Sequence, residues 1–80
     1  MDDQQIIDHI TALTDEEKQL EEHHVGTGLS SEEEQRLGRI QVSLDQMWDL
    51  LRQRRALRSA GLPTDSASLR SAGTVEGYRQ

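Results

Sequence analysis

A regular series of apolar residues runs through positions 31–59 of this chain. They advance in alternating steps of three and four, through Leu37, Ile40, Leu44, Met47 and Leu51. Such steps place side chains on one stripe of a helix and fit a heptad seam of the coiled-coil kind. The spacing therefore predicts a long amphipathic helix over about residues 31–59.

A second helix is predicted over about residues 3–24. Its apolar stripe is formed by Ile6, Ile10, Leu13 and Leu20. Asp2 or Asp3 can cap its first turn, because a side-chain oxygen there accepts from the unpaired amides. Thr14 and Glu17 also have the form of a capping box, so a new helix could begin after a break at Leu13. No Gly or Pro marks such a break, which favours one continuous helix.

Between the two helices, Gly26 and Gly28 predict a loop over about residues 25–30. Ser30 or Ser31 can cap the second helix, since each is followed by a Glu three positions later. A connection this short favours antiparallel neighbours. The sequence therefore predicts an all-α fold, an antiparallel two-helix hairpin over residues 1–60.

The hairpin register brings apolar residues together at four of five levels. The apolar pairs are Leu20 with Leu37, Leu13 with Leu44, Ile10 with Met47, and Ile6 with Leu51. Glu17 is the exception, because it lies opposite Ile40; its stem can cover the seam while its carboxylate reaches water. We refer to the end where residues 1–3 meet residues 54–60 as the open end.

Charge is distributed unevenly along the chain. Residues 1–34 carry eleven acidic groups against Lys18 alone, and residues 35–58 carry six Arg against two Asp. The register sets Asp2 and Asp3 beside Arg54, Arg55 and Arg58, so the helices attract each other at the open end. The net charge of −6 argues against general attraction to nucleic acid or to anionic lipid.

More apolar surface gathers at the open end than two helices can cover. Ile7 and Trp48 flank the seam on one side, and Leu50 and Leu57 flank it on the other. The cover could be the C-terminal segment, a second copy completing a four-helix bundle, or another protein. Contact with a partner is therefore the function that this pattern favours.

The C-terminal segment, residues 61–80, is predicted to be an irregular and partly mobile tail. Gly61 and Pro63 mark the end of the second helix. Residues 64–74 are rich in Ser, Ala, Gly and Thr. Val75 and Tyr78 are apolar groups that could dock on the hairpin, although a terminus with so few anchors often stays loose.

Several classes of function are disfavoured. No apolar run approaches the roughly 18 residues of a membrane span, and residues 1–5 lack the start of a signal peptide, so we expect a cytoplasmic protein. His9 stands beside Asp8 without an apolar pocket to tune either proton affinity, and no Gly-rich phosphate loop is present. We therefore expect no enzyme activity, no cofactor and no small-molecule substrate.

A metal site is also disfavoured. The chain has no Cys, and the best ligands are His23 and His24 beside the acidic residues Glu21, Glu22 and Glu32–Glu34. Adjacent residues at a helix end diverge by about 100°, which spoils joint coordination. A solvated acidic loop end is the expectation.

We predict a non-enzymatic protein-interaction or scaffold module whose partner is another protein or a second copy in a homodimer. The candidate partner-binding residues are Trp48, Leu50, Arg52, Arg54, Arg55, Leu57 and Arg58. Trp and Arg are the residues most often found at energetic centres of interfaces. The alternative is a nucleic-acid-associated regulator in which Arg52–Arg58 grips phosphates and Trp48 stacks on a base.

Three stretches of the chain also carry a resemblance. They are the start from Met1 to Ile10, the run Leu44-Asp45-Gln46-Met47-Trp48-Asp49-Leu50-Leu51-Arg52-Gln53-Arg54-Arg55-Ala56, and the end from Val75 to Tyr78. Together they resemble a family of short, acidic actinobacterial proteins known only as a domain of unknown function. The resemblance spans nearly the whole chain. It implies no activity, ligand or catalytic residue.

Overall fold

The computed structural model describes residues 1–22 and 28–77, and every regular element in them is helical. The elements are α1 (Asp3–Glu22), α2 (Ser31–Ser59), a 3-10 turn (Thr64–Ser66) and α3 (Ala72–Gly77). The two long helices pack against each other, and both the turn and α3 pack against α2. The predicted all-α class is confirmed. No helix in the described ranges is long and apolar enough to cross a lipid bilayer.

Helix α1 begins at a reciprocal cap. The Gln5 amide donates to Oδ1 of Asp2 at 2.8 Å, and the Asp2 amide donates to Oε1 of Gln5 at 2.9 Å. Asp2 thus satisfies an amide that the first helical turn leaves unpaired. The helix then continues without interruption to Glu22, so the alternative of a new helix near Thr14 is wrong. The predicted end near residue 24 lies outside the described residues.

Helix α2 has the predicted bounds, and of the two candidate caps the structure uses Ser30. The Glu33 amide donates to Oγ of Ser30 at 3.2 Å, and the Ser30 amide donates to Oε1 of Glu33 at 3.0 Å. Both halves of the capping box are therefore formed. Most of the predicted loop, residues 25–27 with Gly26, lies outside the described residues.

The end of α2 is fixed by Gly61. Its φ of +71° is in the left-handed region, where a side chain is strained. The Leu62 amide donates to the carbonyl of Leu57 at 2.9 Å and the Gly61 amide to the carbonyl of Arg58 at 3.1 Å. This pair of bonds is a Schellman motif, which stops the helix where the sequence predicted.

The core lies toward the open end. Its buried cluster consists of Ile6, Ile10, Met47, Leu50 and Leu51, with Leu13, Leu44 and Ala67 packed against it. Ile6 and Leu51, which the register pairs at one level, are the most deeply buried, at 0% and 1% exposed. The heptad stripes of both helices therefore meet as their spacing predicts.

The tail is more ordered than the sequence predicted. Oγ of Ser71 accepts from the Thr74 amide at 3.2 Å, and one turn later Val75 is buried at 4% exposed within α3. A local cap and one apolar anchor thus give residues 72–77 a helix despite their small, polar composition. Val75 docks as one of the two expected anchors, whereas Tyr78 lies outside the described residues.

Candidate interaction surface at the open end

The two Leu residues among the candidates serve the fold. Leu50 is 6% exposed and belongs to the core, where Ala67 of the tail packs against the same cluster. Leu57 is half-buried, and its carbonyl accepts the Leu62 amide in the helix stop. The expectation that Leu50 is presented to a partner is corrected, because the tail of the same chain covers that side of α2.

Arg54 and Arg58 are used within the chain. Nε of Arg54 donates to Oδ1 of Asp3 at 2.6 Å, and Nη2 of Arg58 lies 3.0 Å from Oδ2. The hydrogen bond from Arg54, with help from Arg58, lowers the pKa of Asp3 below its ordinary value. The two cations therefore join the start of α1 to the end of α2, as the charge pattern predicted for them. Arg55, which the same register set beside Asp2 and Asp3, forms no ion pair in the described ranges.

Arg52 and Arg55 are placed differently. Both are exposed, and within residues 1–22 and 28–77 neither forms an ion pair. With Trp48 they occupy positions i, i+4 and i+7, which share one stripe of a helix. Of the four candidate cations, these two remain available to a partner.

Trp48 itself is 43% exposed, and Ile7 is 41% exposed. In an antiparallel pair, Ile7 and Trp48 flank the seam on the same side at nearly the same level. We name the surface formed by Ile7, Trp48, Arg52 and Arg55 the Trp48 face. It combines two apolar side chains with two cations, a composition common at the centre of protein interfaces.

A groove of 450 Å³ continues this face toward the loop end of the hairpin. It is lined by Glu17, Gln41, Leu44, Asp45 and Trp48. Glu17 is half-buried there, at the position where the seam pattern has a carboxylate in place of an apolar residue. The groove therefore sets an acidic side chain on the same side of the hairpin as Trp48.

Another side of α2 holds the tail, through polar residues that were not among the predicted site residues. Nε2 of Gln53 donates to the Ser68 carbonyl at 2.8 Å, and the Ser68 amide donates to Oε1 of Gln53 at 3.3 Å. Nε2 of Gln46 donates to the Arg70 carbonyl at 3.2 Å. Two amide side chains thus satisfy the backbone of an otherwise irregular segment.

An ion pair reinforces this attachment. Nε of Arg70 lies 3.6 Å from Oδ2 of Asp49, and Nε2 of Gln53 donates to the same oxygen at 2.9 Å. Asp49 is buried, at 4% exposed. Gln46, Asp49 and Gln53 are spaced three and four residues apart, so they share one stripe of α2. This polar periodicity is the sequence feature that could have indicated where the tail attaches. At about 100° per residue, this stripe and that of Trp48 point roughly 130° apart.

A second groove, of 560 Å³, lies between the start of α1 and the tail. Its lining residues are Met1, Asp2, Met47, Leu50, Arg54, Thr64, Asp65, Ala67, Ser68 and Leu69. Met1 and Leu69 are exposed. The charged groups Asp2 and Arg54 in its wall already serve the cap of α1 and the bond to Asp3. Two of its three charged side chains are thus already engaged within the chain.

Metal ligation finds no support in the described ranges, where no three His, Cys, Asp or Glu side chains cluster as a metal site requires. His23 and His24 lie outside those ranges. The expectation of no metal at the acidic loop end therefore stays a prediction.

Comparison with known proteins agrees with the resemblance drawn from the sequence. A family model described as "Protein of unknown function (DUF2630)" matches residues 2–80. Similar proteins include uncharacterized protein Mb0922c of Mycobacterium bovis and uncharacterized protein Rv0898c of Mycobacterium tuberculosis. Each is 51% identical over 77 residues, which cover 95% of this chain and 88% of the relative. No solved structure matches the chain.

Proposed function

We propose that this chain, which belongs to the DUF2630 family, is a non-enzymatic, cytoplasmic protein-interaction module that binds its partner through the Trp48 face. One observation carries the proposal. The tail covers the apolar flank that contains Leu50, whereas Trp48 on the other flank stays 43% exposed.

The chemistry of the face supports contact with protein. A Trp ring supplies a large apolar area with little side-chain entropy to lose, and Arg adds directional hydrogen bonds around it. Because Arg52 and Arg55 have no ion pair within the described ranges, a partner need not displace an existing bond. Trp48 does not belong to the buried core cluster, whose α2 members are Met47, Leu50 and Leu51.

The nucleic-acid alternative is less well supported, because few cations are available to bind phosphates. Arg54 and Arg58 are engaged by Asp3, so a phosphate backbone would meet two available cations on a chain with a net charge of −6. The affinity of phosphate binding grows with the number of cations that neutralise phosphates. We therefore retain protein contact as the function.

The test is affinity capture from a lysate of the native host with three baits: wild-type, Trp48→Ala and Leu69→Ala. Leu69 is a matched control, since it is an exposed apolar residue, at 53%, on the tail. We expect at least one captured protein, the endogenous copy included, to be lost with Trp48→Ala and kept with Leu69→Ala. Circular dichroism checks that both variants keep their helices.

The proposal fails if no captured protein distinguishes Trp48→Ala from wild-type. A nuclease treatment of the same lysate separates the alternative. Capture that disappears with nuclease, together with a salt-sensitive mobility shift of single-stranded RNA by the purified chain, would replace protein contact by nucleic-acid contact.

A further inference from the structure

We infer that the partner of the Trp48 face is a second copy of this chain, docked antiparallel about a two-fold axis that passes beside Trp48. The inference rests on the proposed function of that face and names its occupant. It is carried by the distribution of charge and apolar surface on the two sides of Trp48.

Along the Trp48 face and the groove that continues it, charges of opposite sign lie on the two sides of Trp48. Arg52 and Arg55 lie toward the open end, and Glu17 lies toward the loop end, in the groove that Trp48 also lines. Neither Glu17 nor the two Arg side chains form an ion pair within the described ranges. A face with this order of charges is complementary to a reversed copy of itself.

The spacing along the helix axis fits such a reversal. Arg55 is seven residues beyond Trp48, or roughly 10 Å at 1.5 Å per residue. Glu17 stands opposite Ile40, eight residues before Trp48, or roughly 12 Å on the other side. A two-fold axis at Trp48 therefore brings Arg55 of each copy to the level of Glu17 of the other. Arg52 falls over the groove beside Glu17.

The apolar residues lie where this arrangement needs them. Trp48 would meet the Trp48 of the second copy on the axis, and Ile7 would flank the pair from α1. Exposed aromatic and aliphatic side chains would then be buried at the centre and ion pairs placed at the rim, which is the usual order in an interface. This arrangement also explains why a carboxylate, Glu17, stands at a seam position. An apolar residue there would leave Arg55 of the second copy without a counter-ion.

Size allows the contact. The Cα atoms extend over 50 × 26 × 15 Å, so the molecule is a slab with two broad sides. A standard interface buries about 800 Å² on each partner, which a side of this length and width can supply. The tail takes the other flank of α2, so docking of a second copy on the Trp48 face requires no rearrangement of the fold.

The test is sedimentation equilibrium of the purified chain and of charge-reversal variants. We expect wild-type to be a dimer at micromolar concentration. Glu17→Arg alone and Arg55→Glu alone should each weaken the dimer about tenfold or more, because each sets like charges together twice in a symmetric dimer. An equimolar mixture of the two variants should restore it, since a heterodimer pairs opposite charges at both places.

Asp15→Arg is the matched control, because it makes the same change of charge on the far side of α1 and should leave the dimer intact. Circular dichroism of each variant checks the fold. A wild-type chain that stays monomeric at high micromolar concentration overturns the inference. A dimer that neither reversal weakens, or that the mixture fails to restore, overturns it as well.

These failures are separate from failure of the proposed function. A monomeric chain whose capture of another protein still depends on Trp48 would refute the second copy and keep the interaction module. A dimer that behaves as described supports both.

Discussion

The two ends of the hairpin are built differently. Toward the open end lie the buried cluster, the docked tail and the paired charges of Asp3, Arg54 and Arg58. Toward the loop end, Ile40 is buried, but Leu20 and Leu37 are only half-buried. The ion pair of Arg36 with Glu16 there is largely solvent-exposed. Stability is therefore concentrated at the open end, although the heptad spacing of α2 is the same at both ends.

This difference also separates folding from binding along one helix. At the open end, successive stripes of α2 face α1, the tail and solvent. The first two contribute to the fold, and the third carries Trp48. A side chain near Trp48 in sequence can thus be essential for folding while Trp48 is free to serve recognition.

Truncation of the seam should cost far more at the open end than at the loop end. Leu51→Ala removes a side chain that is 1% exposed and should lower the free energy of unfolding by about 3 kcal/mol. Leu37→Ala makes the same change at a half-buried position and should cost about 1 kcal/mol. Urea denaturation measures both. Equal losses would mean that the two ends contribute alike.

Loss of an ion pair should also destabilise the chain more at the open end than at the loop end. Arg54 is 13% exposed and bonded to Asp3, so Arg54→Ala removes a mostly buried cation and its charge-assisted hydrogen bond and should clearly lower the urea midpoint. Arg36→Ala removes an exposed pair and should cost at most about 0.5 kcal/mol. The same urea experiment compares them. A larger loss at Arg36 would contradict the assignment.

Substitution of two Gly residues by Ala should change the stability of the chain in opposite directions. A Cβ at Gly38 or at Gly61 meets nothing within 4 Å, so space does not distinguish them. Gly38 lies inside α2, and Gly38→Ala should stabilise by roughly 0.5–1 kcal/mol. Gly61 has φ +71°, and Gly61→Ala should destabilise by about 1 kcal/mol. Thermal unfolding shows whether the midpoints move in opposite directions.

The charge cluster at the open end should also make stability depend on pH. Since Arg54 and Arg58 lower the pKa of Asp3 below 3.8, the unfolded chain binds this proton more readily than the folded chain. The stabilisation is present above pH 3.8 and is lost as pH falls through the folded pKa. Urea midpoints of wild-type and Asp3→Asn should converge in that window. A constant gap between them would exclude the linkage.

The sequence was sufficient to predict the parts of the fold that depend on local pattern. Heptad steps placed Ile6 against Leu51, and the opposite charges of Asp3 and Arg54 marked the open end. The helix stop followed from Gly61, since the left-handed position there suits Gly. Each of these depends on spacing within a helix or on one register between two helices.

The attachment of the tail was not predictable in the same way. Gln46 and Gln53 bind backbone groups of residues 68 and 70, and those groups carry no side-chain signature. Leu50 is 6% exposed in a cluster against which Ala67 of the tail also packs, so it is not presented to a partner as the sequence suggested. The division of four Arg residues into two bound and two exposed also required the three-dimensional geometry, because one carboxylate, Asp3, engages both Arg54 and Arg58.

In the dimer that we infer, Trp48 is buried by a second chain and not by its own. The sequence contains one Trp, so quenching of its fluorescence by acrylamide reports on Trp48 alone. We predict that quenching decreases as protein concentration rises through the dimerisation range, with no change in helical content. If sedimentation shows that the wild-type chain is dimeric but quenching is the same at all concentrations, Trp48 is not buried in the dimer and the inference is contradicted.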